Sequence, residues 1–445
     1  MTAVFSENLR IQNAINFKDQ VSRQLSNNRL YFTFGKCTGW ANDSNPEQAN
    51  TTLSSFNNVW RNMIGAKLLT GNEIKHAIPR HDWTANTSYA AFDDRMDSAS
   101  LFDANNKFYV VTSDWNVYKC LSNNTSANST VMPTQIFTDR SIEELDGYVW
   151  KYMYTVVASD QLRFTTDTYI PIKTIESNDN SLQWQVQESA VAGAIESILV
   201  SNAGTSYANA SLLNITIDGD GTGANAIVRV NTISQTVSNI AITAKGSDYS
   251  YATVTITDTS GNGVGAAARA IISPTGGHGK DALRELGGNA LMLNPRLQNS
   301  ETGKFPVVNE YREVSIICAP FDRDTSNIAS NAVYSQFQSV IMDSSTSQYV
   351  NDEIVYQGVS LANATFSGVI EEWDSANSTI KLINNNGTVV ADVLIGANSG
   401  AARFVQSITQ YELEPFTGSL MYLDHLPPIT RASDQIEDFK IVLVF

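Results

Sequence analysis

The sequence predicts a mainly β chain with minor α, built from several domains around a discontinuous β-rich core. Three observations carry this. Only 17% of the 445 residues are charged, below a typical ~25%. Polarity comes instead from Asn, Ser and Thr, which favour turns and side-chain-to-backbone bonds over helices. Residues 191–275 contain an internal repeat of constant offset, with Ile198, Gly204, Tyr207, Gly221 and Ala224 recurring 42 residues later as Ile240, Gly246, Tyr249, Gly263 and Ala266. The final run, Ile441 to Phe445, is unbroken apolar chain; a tail of this kind is tied down in a sheet buried on both faces.

Along the chain, residues 8–26 predict a helix, with Ile11, Ala14, Ile15, Val21 and Leu25 on one face and Asn27 and Asn28 ending it. Leu30 to Phe34 reads as a strand. Residues 52–69, carrying Phe56, Val59, Trp60 and Met63, read as a second helix. Residues 107–120 alternate as a hairpin turning at Ser113 and Asp114, and 147–157 form another strand rich in Tyr, Val and Trp. Each 42-residue unit reads strand, Gly-turn-Tyr, strand, Gly-rich turn, strand. Two copies are too few for a solenoid, so they are expected to pair face to face or side by side. PTGGHG, 274–279, reads as a flexible joint, and Ala282 to Leu286 as a short helix. Residues 341–410 are again strand-rich, with Asn386-Gly387 as a hairpin signal. At the C-terminal end Met421 to Leu423 form a short strand that Pro427 and Pro428 stop.

The formal charge of −16 opposes binding to phosphate backbones and suits solubility. No apolar run approaches the ~20 residues of a membrane span. MTAVFSENLR lacks a secretion signature, and Cys37, Cys120 and Cys318 have neither metal nor disulfide spacing, so a reducing cytoplasm is expected.

The possible chemistry is thin. Arg229 stands where a calcium loop starting at Asp218 needs an acid, and Asp281 follows Lys280 where a phosphate loop needs Ser or Thr. His76, His81 and Asp82 flank Pro79, so an Arg–Asp or Trp–Arg contact is expected there rather than a metal site. Ser419, Asp424 and His425 lack a nucleophile elbow. Glu143 with Glu144, and Glu371 with Glu372, are adjacent on strands and face opposite ways. Catalytic, cofactor and metal residues are therefore all expected to be none. Of Trp40, Trp60, Trp83, Trp115 and Trp150, most are expected in cores, with one or two at subunit contacts.

Five islands, YFTFGKCTGW (31–40), AIPRHDW (77–83), DGYVWKYMYTV (146–156), FPVVNEYREVSIICAP (305–320) and the segment from Thr417 to Phe445, resemble in order and spacing the baseplate wedge subunit of contractile-tailed phages, the eighth gene product of the T-even type. The likeness spans about half the chain. It implies a structural, non-enzymatic virion protein that is assembled in the host cytoplasm. Its implied partners are a second copy, as a homodimer, and other baseplate wedge proteins, with no nucleic acid, membrane or small-molecule substrate. Stretches absent from the shorter form suggest the division 1–187 core, 188–275 inserted tandem-repeat β module, 276–340 core, 341–410 second inserted β module, and 411–445 core. The alternative is a tail-associated protein binding host-surface glycans through the β modules.

Overall fold

The computed structural model describes residues 6–307 and 309–445. The opening MTAVF and Val308 of the FPVVNEY block lie outside the described residues. The chain divides into two units, each assembled from separated stretches. Unit 1 takes Met1–Asn16, Lys75–Leu293 and Lys440–Phe445; unit 2 takes Phe17–Ile74 and Asn294–Phe439.

Helix α1 covers Glu7–Arg23 and buries Ile11, Ala14 and Val21. It stops three residues earlier than predicted. Gln24 turns to a φ of 52° and its side-chain amide donates to the Val21 carbonyl at 2.7 Å, satisfying a terminal acceptor. Leu25 is left 51% exposed.

Unit 1 holds three sheet systems. One has the order β29 (Ile441–Val444), β15 (Ala290–Leu293), β3 (Ile74–Pro79), β8 (Tyr169–Ile172). The C-terminal run therefore does enter a sheet. As the outermost strand it is covered on fewer sides than predicted, and Val444 is 59% exposed. A second sheet has the order β4 (Tyr109–Val111), β5 (Asn116–Asn123), β7 (Tyr148–Thr155), β6 (Ile142–Glu143). The predicted hairpin is β4–β5, and the aromatic strand is β7. Tyr118, Trp150 and Tyr152 are fully buried there, because aromatic side chains fill a pleated, covered face.

The third system is the tandem repeat: β9 (Ile195–Thr205), β10 (Leu213–Gly219), β11 (Thr222–Asn231), β12 (Thr236–Ser247), β13 (Ala252–Asp258) and β14 (Val264–Ile272). The copies interlock rather than stack. β9 pairs with β14, β12 with β11, and β10 with β13, so the first strand of each copy is laddered to the third strand of the other. The Gly-turn-Tyr signature explains the exchange. Tyr249 accepts from Ala224 N at 3.3 Å, and Tyr207 accepts from Ala266 N at 3.2 Å. Each ring lies on the Gly-rich turn of the opposite copy. A Cβ at Gly263 would sit 2.3 Å from the Tyr207 ring, and one at Gly221 2.4 Å from the Tyr249 ring, so neither turn admits a side chain.

In unit 2 the main sheet has the order β19 (Val333–Ser335), β2 (Met63–Leu68), β1 (Leu30–Gly35), β17 (Glu310–Cys318), β27 (Ser419–Thr430). Three of the islands thus lie as neighbours, β1–β17–β27. Short pairs join β16 (Arg296–Gln298) to β28 (Ile436–Asp438) and β18 (Phe321–Asp322) to β26 (Leu413–Glu414). The predicted helix over 52–69 splits. Helix α2 covers only Leu53–Asn62, N-capped by Thr52, and MIGAKL becomes β2. Pairing with β1 in register Tyr31↔Leu68 and Thr33↔Ala66 outweighs local helical preference. The predicted stop at Pro427 and Pro428 is also absent, and β27 runs through both. It is an outer strand, where a missing N–H is tolerated. Arg312 alone lies opposite Leu426, Pro427 and Pro428, between the pairs Tyr311↔Ile429 and Glu313↔His425, and this bulge absorbs the prolines.

The second strand-rich stretch closes into a six-stranded barrel of β20 (Gln338–Met342), β21 (Ile354–Gln357), β22 (Phe366–Asp374), β23 (Thr379–Gly387), β24 (Val393–Gly396) and β25 (Ala402–Thr409), in the order β20-β23-β22-β21-β24-β25. Asn386-Gly387 is not a hairpin turn. It ends β23, still paired to Ser367 and Phe366, and the tight turn lies earlier, at 375–378, where Asp374 accepts from Ala376 N and Asn377 N. Barrel and tandem repeat share one strand order. In each the first strand neighbours the fourth and sixth, and the second neighbours the third and fifth. Exchanging the two halves leaves that order unchanged. The barrel therefore carries the same internal two-fold relation without the 42-residue sequence signature.

Candidate functional site

The chemistry-bearing residues are placed as structural groups. His81 is buried against Tyr109, ring centroids 5.0 Å apart, and burial, with Lys107 adding, pushes its pKa down to about 4, so it is neutral at pH 7. Arg80 pairs with Asp82 at 2.9 Å, the Arg–Asp contact expected, and lies over Trp115 at 5.1 Å, while the Trp83 indole of the same segment donates to Ser129. Ser419 and His425 stand six residues apart along β27, roughly 20 Å in an extended strand, so they do not meet. His425 instead stacks on Trp40 at 4.4 Å and faces Glu313 at 3.4 Å. Burial opposes its charge, but Glu313 and the Glu47 carbonyl overcome it and raise the pKa. Glu143 pairs with Arg229, while Glu144 stands apart from that pair. Glu371 is buried and Glu372 pairs with Lys381 at 2.6 Å. Among the described residues no group of three or more His, Cys, Asp or Glu is arranged to hold a metal.

Sequence reading missed the buried charges, because burial of a lone Lys or Arg has no local signature. Lys119 and Lys151 are register partners on β5 and β7, both fully buried. Lys119 Nζ lies 3.0 Å from Glu285, 3.1 Å from His278 Nδ1 and 4.0 Å over the Phe92 ring. Burial, with Lys119 next, keeps His278 neutral, so Nδ1 accepts the lysine proton. Glu285 also accepts from Gly279 N at 2.8 Å. The segment 274–279 is therefore an anchored turn, with Gly277, His278 and Gly279 buried, and not a flexible joint. Within this cluster the buried lysine charge is matched by the Glu285 carboxylate, which offsets part of the cost of burying it. Of the tryptophans singled out, Trp60 and Trp150 are core; Trp40, Trp83 and Trp115 are half-buried.

The features that suit a binding role are surfaces. On the barrel the outward row of β21, β24 and β25 is apolar: Val393 faces Phe404 across one ladder, and Ile395 lies between Tyr356 and Ala402. Phe404 is 44% exposed, and Val359 at the adjoining turn 97%. Leu394, Val355 and Val405 alternate inward, so the outer row is not needed for the barrel core. Contiguous exposed apolar surface of this kind marks interaction sites.

Comparison with known proteins finds a partial likeness. Residues 3–136 match a family model described as Bacteriophage T4, Gp8. The curated "Baseplate wedge protein gp8" of Enterobacteria phage T4 is 21% identical over 203 residues, covering 38% of this chain. The chain spans 60% of the length of that relative.

Proposed function

We propose that the protein is a structural component of a contractile-tail baseplate wedge, joining neighbouring wedge proteins during assembly. The observation that carries this is the family match over residues 3–136. Acidic charge, an exposed apolar barrel face and buried ion clusters support it, since these suit a soluble subunit of rigid parts that moves as bodies. On this reading the protein is not an enzyme, is assembled in the host cytoplasm, forms a homodimer and contacts other wedge proteins. Glycan recognition is the weaker alternative, because Tyr207 and Tyr249 of the tandem module are turned inward. Co-expression with the neighbouring wedge proteins, followed by chromatography with light scattering, is expected to give a dimer that co-elutes with them. Glu at both Val393 and Phe404 should reduce that co-elution at least tenfold, about the effect of burying two unpaired charges, without unfolding the chain. A monomer indifferent to its neighbours would reject the reading.

We also propose that 188–275 and 341–410 are modules inserted into a core of 1–187, 276–340 and 411–445. The entry and exit of the first module meet, Ser273 N donating to the Ala194 carbonyl at 3.0 Å. The ends of the barrel meet likewise through Gln338 and Gln410 at 2.7 Å. Joining Ala194 directly to Ser273 removes the buried Ile271 and three partly exposed Arg–carboxylate contacts, Arg229–Glu143, Arg269–Asp93 and Arg269–Asp94, each of the three contributing about 0–1 kcal/mol. The shortened protein is expected to stay soluble and to melt cooperatively within roughly 10 °C of the full chain. Aggregation or a non-cooperative melt would show the module to be integral.

A further inference from the structure

Residues 36–52, between β1 and α2, form a seventeen-residue loop without helix or strand, and Cys37 is its one buried residue. Loops longer than about 12–15 residues in a compact unit usually carry function. The anchors of this loop lie on β17 and β27, within unit 2. Arg312 of β17 pairs with Asp43 at 3.0 Å through both Nε and Nη2. The Trp40 indole donates to the Leu426 carbonyl of β27 at 3.0 Å. The Glu47 carbonyl lies 2.8 Å from His425 Nδ1.

His425 ties these anchors to a carboxylate. Its ring stacks on Trp40 at 4.4 Å, and its Nε2 faces Glu313 of β17 at 3.4 Å. The two side chains are only 10% and 7% exposed. Both ring nitrogens therefore face acceptors. An imidazolium donates to both. A neutral ring carries one N–H, so in either tautomer a lone pair confronts the Glu47 carbonyl or the Glu313 carboxylate. That contact is repulsive and leaves an acceptor without its donor. The other charged groups around the ring are Lys36, 4.2 Å over Trp40, and the Glu47 carboxylate. Asp424 faces the other side of β27 and accepts from Tyr422 at 3.1 Å. Arg312, held by Asp43 and Glu310, stays charged at every pH at which His425 titrates.

We propose that His425 is a pH-operated latch for this loop: as an imidazolium it holds the loop on β27, and as a neutral ring it releases residues 44–50 and the Trp40 indole, while Asp43 stays on Arg312. Burial disfavours the charge, but Glu313 and the Glu47 carbonyl outweigh it and lift the proton affinity above the ordinary 6.5. The closed loop keeps a proton that the open loop gives up. Closure is therefore complete below 6.5 and is lost as pH rises through the raised value. The proposal stands on the geometry of unit 2 and does not depend on the wedge assignment. Cleavage of the full chain by a glutamyl endopeptidase after Glu47 tests it, because the carbonyl the protease must take up is the one His425 holds. Cleavage after the exposed Glu176 is the reference at each pH. The ratio of the two rates is expected to rise about tenfold between about pH 6 and about pH 8.5, the effect of losing one hydrogen bond to a charged group. His425→Ala should give the high ratio at both pH values. Glu313→Gln should give the low ratio at both, since its amide donates to the neutral Nε2 while Nδ1 keeps its proton for Glu47. The second variant keeps the test decisive if His425→Ala loosens β27. A flat ratio in the unaltered protein, or a rise that persists in either variant, would overturn the proposal.

Discussion

Replacing Glu371 by Gln is expected to stabilise the protein at alkaline pH and to leave it unchanged near pH 4.5. Glu371 lies in a bulge of β22 between the pairs Ile370↔Leu382 and Glu372↔Lys381. It is 2% exposed, and neither carboxyl oxygen has a hydrogen-bond partner. Burial, with Glu372 next and Asp352 adding, raises its pKa from 4.5 to about 8 against the opposing pull of Lys381 and Arg431. The folded chain thus keeps a proton that the unfolded chain gives up. Stability from this group is complete below pH 4.5, falls as pH rises through the window, and levels above about 8. The whole shift corresponds to roughly 5 kcal/mol, an upper bound. Gln keeps the shape and cannot ionise, so at pH 8.5 it should gain about 2–5 kcal/mol over Glu. Denaturant melts of both proteins at pH 4.5 and 8.5 measure this. Parallel pH dependences would show that Glu371 is solvated or paired.

Arg431→Met is expected to have the largest destabilising effect. The arginine is 1% exposed. Its Nε lies 3.1 Å from Glu437, Nη2 donates to the Asn299 carbonyl at 2.7 Å, Nη1 donates to the Pro306 carbonyl, and the guanidinium lies 5.4 Å over Phe34. Met fills similar volume but leaves the buried Glu437 carboxylate and two carbonyls without donors, at a cost of about 3–5 kcal/mol. For a unit of this size that is a fall in melting temperature of roughly 10–15 °C. Because most of the loss is the unpaired carboxylate, Glu437→Leu added to Arg431→Met should restore more than half of it. A double variant as unstable as the single one would place the cost in the carbonyls instead.

Both predictions concern residues that the sequence presents as ordinary surface charges. Glu371 and Glu372 are adjacent acids, and only the bulge and the covering chain decide that one is buried while the other meets Lys381. Similarly, Pro427-Pro428 reads as a strand terminator, because the outer position and the opposing bulge at Arg312 are set by chain more than a hundred residues away. MIGAKL fits helix or strand, and pairing with β1 decides between them. The Asn-Gly signal at 386–387 fails for the same reason, since Phe366 and Ser367 hold that dipeptide in a ladder.

What the sequence determined by itself is what depends on local periodicity and repetition. The predominance of β structure, helix α1, the β4–β5 hairpin and the 42-residue duplication follow from side-chain spacing and turn residues, which act within a few positions. Tertiary structure decided the interlocking of the two repeat copies, the hidden two-fold order of the barrel, the buried lysines and the two acceptors facing His425. Each of these arises from apposition of segments distant in sequence, where burial and ladder pairing change the free energy of a side chain without leaving a trace in its neighbours along the chain.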